Sequence, residues 1–248
     1  MNSINKAINQ FNSISLEEMD NVKLLDRVDT KFVCSIYKLS NLLQELSKTY
    51  NVLEIDGQRI MPYKTKYYDT YDFKMYKEHQ NGKLNRYKVR EREYVNSELN
   101  FLEIKLKNNK NRTLKSRIEK PINLDWFSNA ETNFLDCKSP FSPEELEVKL
   151  YNTFNRITLS NQTERVTIDF NIRFEDRSGI QKSLPYLAII EIKQTKNSVS
   201  SDIIKILKNH RIRPCGFSKY CVGASLIYSN LKSNRFKSKL LLISKLSA

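Results

Sequence analysis

The stretch LNRYKVREREY, residues 84–94, decides how the rest of the sequence is interpreted. Every second residue from position 86 to position 92 carries a positive charge: Arg86, Lys88, Arg90 and Arg92. Because side chains alternate between the two faces of a β-strand, all four cations would lie on one face. Like charges in a row repel each other unless an anion neutralises them. The stretch therefore predicts a strand whose charged face binds a polyanion.

The same alternation recurs in residues 101–107, 114–119, 164–174 and 187–194. Two of these segments contain a Glu-x-Lys pair, Glu103-x-Lys105 and Glu191-x-Lys193, which indicates one shared site. Alternation alone is also typical of an antiparallel sheet with one face in water. A water-exposed face usually mixes Thr, Ser and Gln with its charges, whereas cations recur here. We therefore expect the strands to close into a barrel with their charged faces inward.

Helical periodicity predicts the cover of this barrel. Residues 1–26 show helical spacing, and Ser15 and Glu18 form a capping box within them. Further helices are predicted from Ser40 onward and near residues 143–154, 199–209 and 219–229. The predicted fold class is α+β: a closed antiparallel β-barrel with a charged lumen, covered outside by helices. Its parts are a helical segment over 1–26 that packs on the barrel, a tunnel domain over 27–230, and a basic helix or tail over 231–248.

The charge balance supports a polyanionic partner. The 248 residues include 42 Lys and Arg against 28 Asp and Glu, so the net charge is +14. Nucleic acid or an anionic membrane would also suit this balance, and an AT-rich coding sequence would raise the Lys content without any ligand. No helix-turn-helix, RNA-binding signature or interleaved exposed aromatics point to nucleic acid. The tail over 235–246 would suit either a membrane surface or packing on the barrel.

The cysteines and the apolar runs predict the compartment. Cys34, Cys137, Cys215 and Cys221 show no CxxC pair and no zinc-finger spacing, so we expect reduced thiols rather than disulfides or zinc. His79 and His210 have no ligand spacing and are expected to be packing or surface residues. No apolar run is long enough to cross a bilayer. The sequence therefore predicts a cytoplasmic protein without an integral membrane segment.

Nine short motifs follow one another in a fixed order along the chain. They are RVDTKF (27–32), YYDT (67–70), RYKVREREY (86–94), FLEIKLK (101–107), KSR (115–117), NR (155–156), RVTID (165–169), PYLAIIEIK (185–193) and FSKY (217–220). This ordered set resembles the VTC domain, the polyphosphate polymerase domain of the triphosphate tunnel metalloenzyme superfamily. The resemblance runs from residue 27 to about residue 228 and implies a tunnel whose Lys and Arg side chains hold phosphates.

The resemblance also implies roles for individual residues. The catalytic cations would be Lys219, Arg90, Arg92 and Arg156. The phosphate-binding residues would be Lys31, Arg86, Lys88, Lys105, Lys115, Arg117, Arg165, Lys193 and Ser218. The essential cofactor would be Mn²⁺ or Mg²⁺, held by Glu191 and, as a weaker candidate, by Glu103.

The implied activity is transfer of the γ-phosphoryl group of ATP to a growing chain of inorganic polyphosphate. A metal-dependent triphosphatase or polyphosphatase, and a non-catalytic polyphosphate binder, are the alternatives. The broader superfamily opens with a Glu-x-Glu-x-Lys strand, whereas residues 27–31 contain the single acid Asp29. This difference disfavours the adenylate cyclase and thiamine triphosphatase branches. Gly216 stands where polymerase relatives can carry a further basic residue, which would reduce phosphate contact at the tunnel mouth.

Overall fold

Ten β-strands form one sheet in the computed structural model, which describes residues 2–21, 27–110, 112–122, 124, 126–195 and 201–247. The strands are β1 Ser13–Ile14, β2 Arg27–Ser35, β3 Asn51–Leu53, β4 Met61–Thr70, β5 Arg86–Tyr94, β6 Leu99–Lys107, β7 Thr113–Glu119, β8 Leu146–Ser160, β9 Glu164–Glu175 and β10 Gln181–Thr195. The helices are α1 Asn2–Ile8, α2 Leu16–Asn21, α3 Leu39–Leu46, α4 Lys74–Gln80, α5 Asn129–Lys138, α6 Asp202–Asn209, α7 Lys219–Ile227 and α8 Lys237–Ser247.

The sheet is a curled antiparallel sheet. Its main strands follow the order β2-β10-β9-β8-β4-β5-β6-β7, and each neighbouring pair is antiparallel. The short strand β3 pairs with β8, and β1 pairs with β3 in parallel. Lys31 on one edge strand, β2, and Lys115 on the other, β7, line the same cavity. The sheet therefore curls until its two edges face one space.

The predicted α+β class is confirmed, but hydrogen bonds do not close the barrel. Over the described residues, β2 and β7 are the two ends of the hydrogen-bonded strand order. The outer edge of β2 is occupied instead by the segment that leads to α7. The backbone N–H of Cys215 donates to the carbonyl of Lys31 at 2.7 Å, and Phe32 forms a β-bridge with Pro214. This segment takes the place that β7 would need for closure.

The outward faces of the strands are apolar and covered by helices, as the alternation predicts. Ile168 on β9 and Ile190 on β10 belong to a buried cluster with Leu42 of α3. The same cluster includes Ile8 of α1 and Ile203 of α6. A second outer cluster joins β5 and β6 to α5 and contains Val89, Leu102, Ile104 and Leu135. Burial of these side chains orients the opposite, charged faces toward the interior.

One half of the interior is apolar and contains helix α7. We call this the apolar half; its wall is made of Leu150, Phe154, Phe174 and Ile189, on β8, β9 and β10. A Cβ atom built at Gly223 of α7 would lie 2.6 Å from carbon atoms of both Leu150 and Phe174. No side chain fits at that position without movement of the wall. Helix α7 therefore plugs this end of the barrel.

Asp69 holds the plug to the rest of the fold. Its carboxylate is fully buried and accepts hydrogen bonds from the backbone N–H groups of Thr70, Met75 and Tyr76, at 2.8–2.9 Å. The Tyr220 hydroxyl of α7 donates to the same carboxylate. Burial raises the pKa of Asp69, and these four donors oppose that rise. The end of β4, the start of α4 and the plug helix thus meet at one acid.

Two of the predicted helices differ from the structure. Residues 143–154 were expected to be helical, but a short 3-10 turn at Pro143–Glu145 leads directly into β8. Leu146, Val148 and Leu150 also alternate with period two, and pairing with both β4 and β9 favours the strand. The helical segment over 1–26 is divided by β1, because Ser13 and Ile14 pair with β3. Residues 22–26 lie outside the described residues.

The other helical predictions are confirmed. Helix α3 begins at Leu39, α6 covers Asp202–Asn209, and α7 covers Lys219–Ile227. The predicted residues 199 and 200 lie outside the described residues. The capping box is present, because the Ser15 N–H donates to Glu18 and the Glu18 N–H donates to Ser15. Among the described residues, no helix is both long and apolar enough to span a membrane.

Candidate active site

The other half of the interior, which we call the polar half, contains a cavity of about 860 Å³. Strands β2, β5, β6 and β7 and the start of α7 contribute to its wall. The lining residues include one acid, Asp29, and the nine cations Lys31, Lys88, Lys105, Lys107, Lys110, Arg112, Lys115, Arg235 and Lys239. Such a wall attracts polyanions strongly, since low-dielectric surroundings concentrate the field of its charges.

Beside the cavity, Asp169 joins two of the predicted catalytic cations. Arg156 of β8 binds this carboxylate through both arms of its fork, with Nε–Oδ1 at 2.6 Å and Nη2–Oδ2 at 2.8 Å. The Lys219 ammonium group, at the start of α7, also binds Oδ2. Burial raises the pKa of Asp169, but Arg156 and Lys219 outweigh burial and hold the pKa far below its ordinary value. Asp169 therefore fixes both cations while it stays ionised.

The same group of contacts makes Lys219 titratable near neutral pH. Burial lowers the pKa of Lys219 to about 8, while Asp169 opposes that fall and Arg156 adds to it. The ammonium group also lies 4.2 Å from the centre of the Phe154 ring. An unperturbed lysine would stay charged throughout the physiological range. A phosphate placed next to Lys219 would favour its charged form.

Two stacked aromatic rings form the border between the apolar and polar halves. The Tyr63 and Phe154 rings lie 5.3 Å apart and are nearly parallel, at 7°. The Arg156 guanidinium is 4.9 Å from the centre of the Tyr63 ring, and that of Arg92 is 5.7 Å from it. Cations over aromatic faces gain a modest attraction that strengthens when water is excluded. The rings thus help to stabilise two buried guanidinium groups without contributing a negative charge.

Glu103 organises a second group of cations on β5, β6 and β7. Arg90 donates to its Oε2 from Nε at 2.6 Å, and the Lys115 ammonium binds its Oε1. The Glu103 side chain is completely buried. Burial raises its pKa, but Arg90, Arg92 and Lys115 outweigh burial and hold the pKa far below the ordinary value. Glu103 is therefore an ionised carboxylate surrounded by cations.

Glu191 is the acid of the second Glu-x-Lys pair. The Lys31 ammonium donates to its Oε1 at 2.8 Å from the neighbouring strand β2. Its side chain remains 21% exposed, whereas that of Glu103 is 0% exposed. Burial raises the pKa of Glu191, while Lys31 and Lys193 outweigh burial and keep the carboxylate ionised. Of the two acids, only Glu191 is partly exposed, and its partner Lys31 lines the cavity.

Lys105 shows that the two Glu-x-Lys pairs share one interior. Its pKa lies well below the ordinary value because of the nearby charge of Arg90, together with burial and Arg92. Glu103 on its own strand and Glu191 on β10 both act in the opposite direction. Strands β6 and β10 are separated by four strands in the sheet order. Their charges therefore interact across the interior, as expected for one shared site.

The structure brings most of the predicted site residues together. Lys31, Lys88, Lys105, Lys115 and Ser218 line the cavity, and Lys88 donates to the Ser218 hydroxyl at 3.1 Å. The ion-pair groups described above contain Arg90, Arg156, Lys219, Glu103 and Glu191, and Arg92 lies over the Tyr63 ring.

Four predicted phosphate-binding residues do not line the cavity. Arg86 donates to the carbonyl of Lys83, and Arg165 donates to the carbonyl of Met19. The Arg117 guanidinium stacks on the ring of Phe101 at 4.5 Å. Lys193 pairs in register with Asp29 of β2 and affects the pKa of Glu191. For these four residues, phosphate binding stays a prediction.

Four residues of the site were absent from the set that the sequence suggested. The polar face of residues 164–174 did contain Asp169, but no spacing connected it to Lys219, which lies 50 positions later. Tyr63 was not singled out, and Phe154 was assigned to the helix predicted over residues 143–154. His79, expected to be a packing residue, lies at the cavity wall with Nδ1 3.1 Å from the Cys221 thiol. Burial, with Lys88 and Arg86, lowers its pKa to about 2, so its ring is neutral.

This fold and this cation-lined interior define a triphosphate tunnel protein. The structure of a candidate adenylate cyclase from Vibrio parahaemolyticus is similar, with a TM-score of 0.50 and 12% identity over 82% of this chain and 100% of that one. The structure of a second candidate adenylate cyclase, from Bacillus halodurans, has a TM-score of 0.51 and 14% identity over 78% of this chain and 96% of that one. At this identity the two structures show the fold alone.

A protein-family comparison identifies the class more closely. The family model of the VTC domain matches residues 26–228, and the chain therefore belongs to the VTC domain family. No curated protein matches the chain. The family match covers every strand from β2 to β10 and ends just after α7.

Proposed function

We propose that the protein is a metal-dependent phosphotransferase that moves the γ-phosphoryl group of ATP to the end of a growing polyphosphate chain. The observation that carries this proposal is the cavity wall, where nine cations face one acid. Membership of the VTC domain family supports polyphosphate or nucleotide phosphates as the ligands. The four cysteines are free thiols, which supports the predicted cytoplasmic location.

Phosphoryl transfer depends on positioning and on stabilisation of negative charge, and the polar half offers both. Arg156 has a planar fork that can bind two phosphate oxygens at once, and Asp169 holds it in place. Lys219 adds a compact charge at the start of α7, where the helix dipole also favours an anion. Because Asp169 fixes both groups before substrate enters, little reorganisation is needed during transfer.

A divalent ion fits this site if phosphates supply most of its ligands. Within the described part of the chain, no three His, Cys, Asp or Glu side chains come together as a metal site. Mg²⁺ and Mn²⁺ are often bound through one or two carboxylates plus substrate phosphates and water, which the partly exposed Glu191 permits. Glu103 is closed off by Arg90 and Lys115, so we assign it to charge pairing. When bound, the ion would neutralise charge on the transferred phosphoryl group.

One incubation separates this activity from its two alternatives. Purified protein is mixed with ATP and Mn²⁺, and then polyphosphate, ADP and free phosphate are measured, with an EDTA-treated sample as the control. Polyphosphate formed together with ADP supports the proposal. Free phosphate without polymer would identify a hydrolase. Saturable tripolyphosphate binding without turnover would identify a binding module, and either of these outcomes overturns the polymerase activity.

A further inference from the structure

The chain continues after the family match, and this continuation returns to the cavity. We call residues 229–247 the C-terminal strap; it contains a short 3-10 turn at Asn234–Phe236 and helix α8. Phe236 is 5% exposed and packs on the rings of Tyr76 and His79, at 5.7 and 5.6 Å. Ile243 of α8 is buried in the same cluster. The strap is therefore packed on the barrel and attached to α4.

This attachment places two cations of the strap at the cavity. Arg235 and Lys239, on either side of the anchored Phe236, line it together with Lys107 and Arg112. The Arg235 guanidinium also packs closely on Gly82, in the loop after α4. A Cβ atom built at Gly82 would lie only 2.6 Å from Arg235 Nη1. Within the described residues, neither Arg235 nor Lys239 forms an ion pair with a carboxylate. Both charges remain available to an anion.

In the described part of the chain, the residues that line the cavity around Arg235 are mainly cations. Arg235 and Lys107 both contribute to the low pKa of His79, after burial, Lys88 and Arg86. Arg235 also lowers the pKa of Arg86, in addition to burial. Lys110 and Arg112 are exposed members of the same wall. In contrast, the cations next to Glu103, Asp169 and Glu191 each have a carboxylate partner.

We infer that the strap provides a distal anion subsite, which binds the phosphates of a long polyphosphate chain that lie beyond the reacting triphosphate. This inference rests on the proposed function and adds a chain-length preference to it. A triphosphate cannot neutralise all nine cations of the cavity wall, whereas each further phosphate unit adds negative charge. Arg235 and Lys239 follow residue 228, so the strap cations lie outside the segment that matches the family.

The test compares two double variants that lose the same charge. Arg235→Ala/Lys239→Ala removes the strap cations that line the cavity. Lys237→Ala/Lys245→Ala removes two exposed strap cations that do not line it. Binding of long-chain inorganic polyphosphate and of inorganic tripolyphosphate is measured by calorimetry at several salt concentrations. Phe236 is kept in both variants, and thermal unfolding checks that the strap stays attached.

The expected result is selective for ligand length. Arg235→Ala/Lys239→Ala weakens long-chain binding at least about tenfold. It also reduces the slope of log affinity against log salt concentration by about one for each lost phosphate contact. Tripolyphosphate binding changes less than about twofold, and the control variant changes neither affinity by more than that. Equal losses in both variants, or an equal loss for tripolyphosphate, overturn the subsite. If the unmodified protein binds neither ligand, the proposed function fails as well.

Discussion

The apolar and polar halves of the interior are built on the same strands but behave differently. Strand β8 carries Leu150 and Phe154 toward the plug helix and Arg156 toward the cavity, and β9 likewise carries both Phe174 and Asp169. The apolar half is filled by α7, whereas the polar half remains a cavity. The difference shows how one curled sheet can fix a cationic helix terminus at a closed end and leave room for a polyanion at the other.

The two halves also have opposite effects on stability. Burial of the plug side chains stabilises the fold, because apolar surface is removed from water. The cations of the polar half destabilise each other, as the lowered pKa of Lys105, next to Arg90, and that of Lys88, through burial and nearby cations, indicate. A bound polyanion would relieve this repulsion and stabilise the folded state by mass action. Changes in the two halves should therefore affect different measurements.

The largest effect is expected for Glu191→Gln in the polar half. The substitution keeps the size of the side chain but removes the accessible carboxylate that we propose as the metal anchor. Turnover is expected to fall on the order of 1,000-fold, about 4 kcal/mol in the barrier. Tripolyphosphate binding should be retained, since Lys31 loses its partner and stays near the cavity. Steady-state kinetics across a Mn²⁺ titration and calorimetry provide the two readouts.

Glu103→Gln is the matched control for this experiment. Glu103 is also an ionised acid among cations, but it is closed to the cavity. This variant should lose stability, because Arg90 and Lys115 lose their common partner. Its apparent affinity for Mn²⁺ should remain unchanged. Near-native, metal-dependent activity of Glu191→Gln would remove the metal assignment to this residue.

The next largest effect is expected in the apolar half. Phe174 is fully buried against the plug, so Phe174→Ala should lower the free energy of unfolding by about 3–5 kcal/mol. Urea denaturation measures this loss. At temperatures where the variant remains folded, its tripolyphosphate affinity should stay close to that of the unmodified protein.

Lys105→Ala provides the opposite pattern. It removes a cation whose neighbours already disfavour its charge, so we expect little loss of stability and a clear loss of tripolyphosphate affinity. If Lys105→Ala destabilised the protein as much as Phe174→Ala and left binding intact, the division of the interior into two halves would be wrong.

The sequence predicts the charged faces because alternation is a local property. Arg86 to Arg92 and the two Glu-x-Lys pairs follow from side-chain direction alone, and both acids do reach one interior. Closure of the barrel is a long-range property. The segment around Pro214 and Cys215 occupies the edge of β2, and no local pattern shows which segment pairs with an edge strand.

The same distinction explains the missed residues. Asp169 of β9 and Arg156 of β8 face each other in the strand register, and only the packing of the plug brings Lys219 of α7 to them. The error at residues 143–154 has a related cause, because Leu146, Val148 and Leu150 satisfy a strand as well as a helix. Pairing on both sides of β8 determines the result.

A smaller effect is expected at the contact between the plug and its wall. Gly223→Ala gains about 1 kcal/mol of helix propensity, but its Cβ atom would overlap Leu150 and Phe174. Overpacking of this kind usually costs about 1–3 kcal/mol, so we expect a net loss of stability of about 1 kcal/mol. Urea denaturation measures the loss, and Gly216→Ala, with no atom within 4 Å of the new Cβ, is the control. A stabilised Gly223→Ala protein would mean that α7 does not fill the interior as described.

The smallest effect concerns the proton of Lys219, at the border between the two halves. Burial lowers its pKa to about 8, with Asp169 opposing and Arg156 reinforcing the shift, so at pH 8 about half of the protein carries a neutral Lys219. Bound tripolyphosphate favours the charged form and should raise the pKa, so binding takes up as much as about half a proton and weakens as the pH rises through 8. Calorimetry in two buffers with different ionisation enthalpies measures this uptake.

Lys219→Arg is the control, because its guanidinium stays charged and takes up no proton. Lys105 and the ligand itself also exchange protons, and both of these contributions remain in the variant. We therefore expect less uptake by Lys219→Arg than by the unmodified protein at pH 8, and equal uptake would show that bound phosphates do not lie next to Lys219.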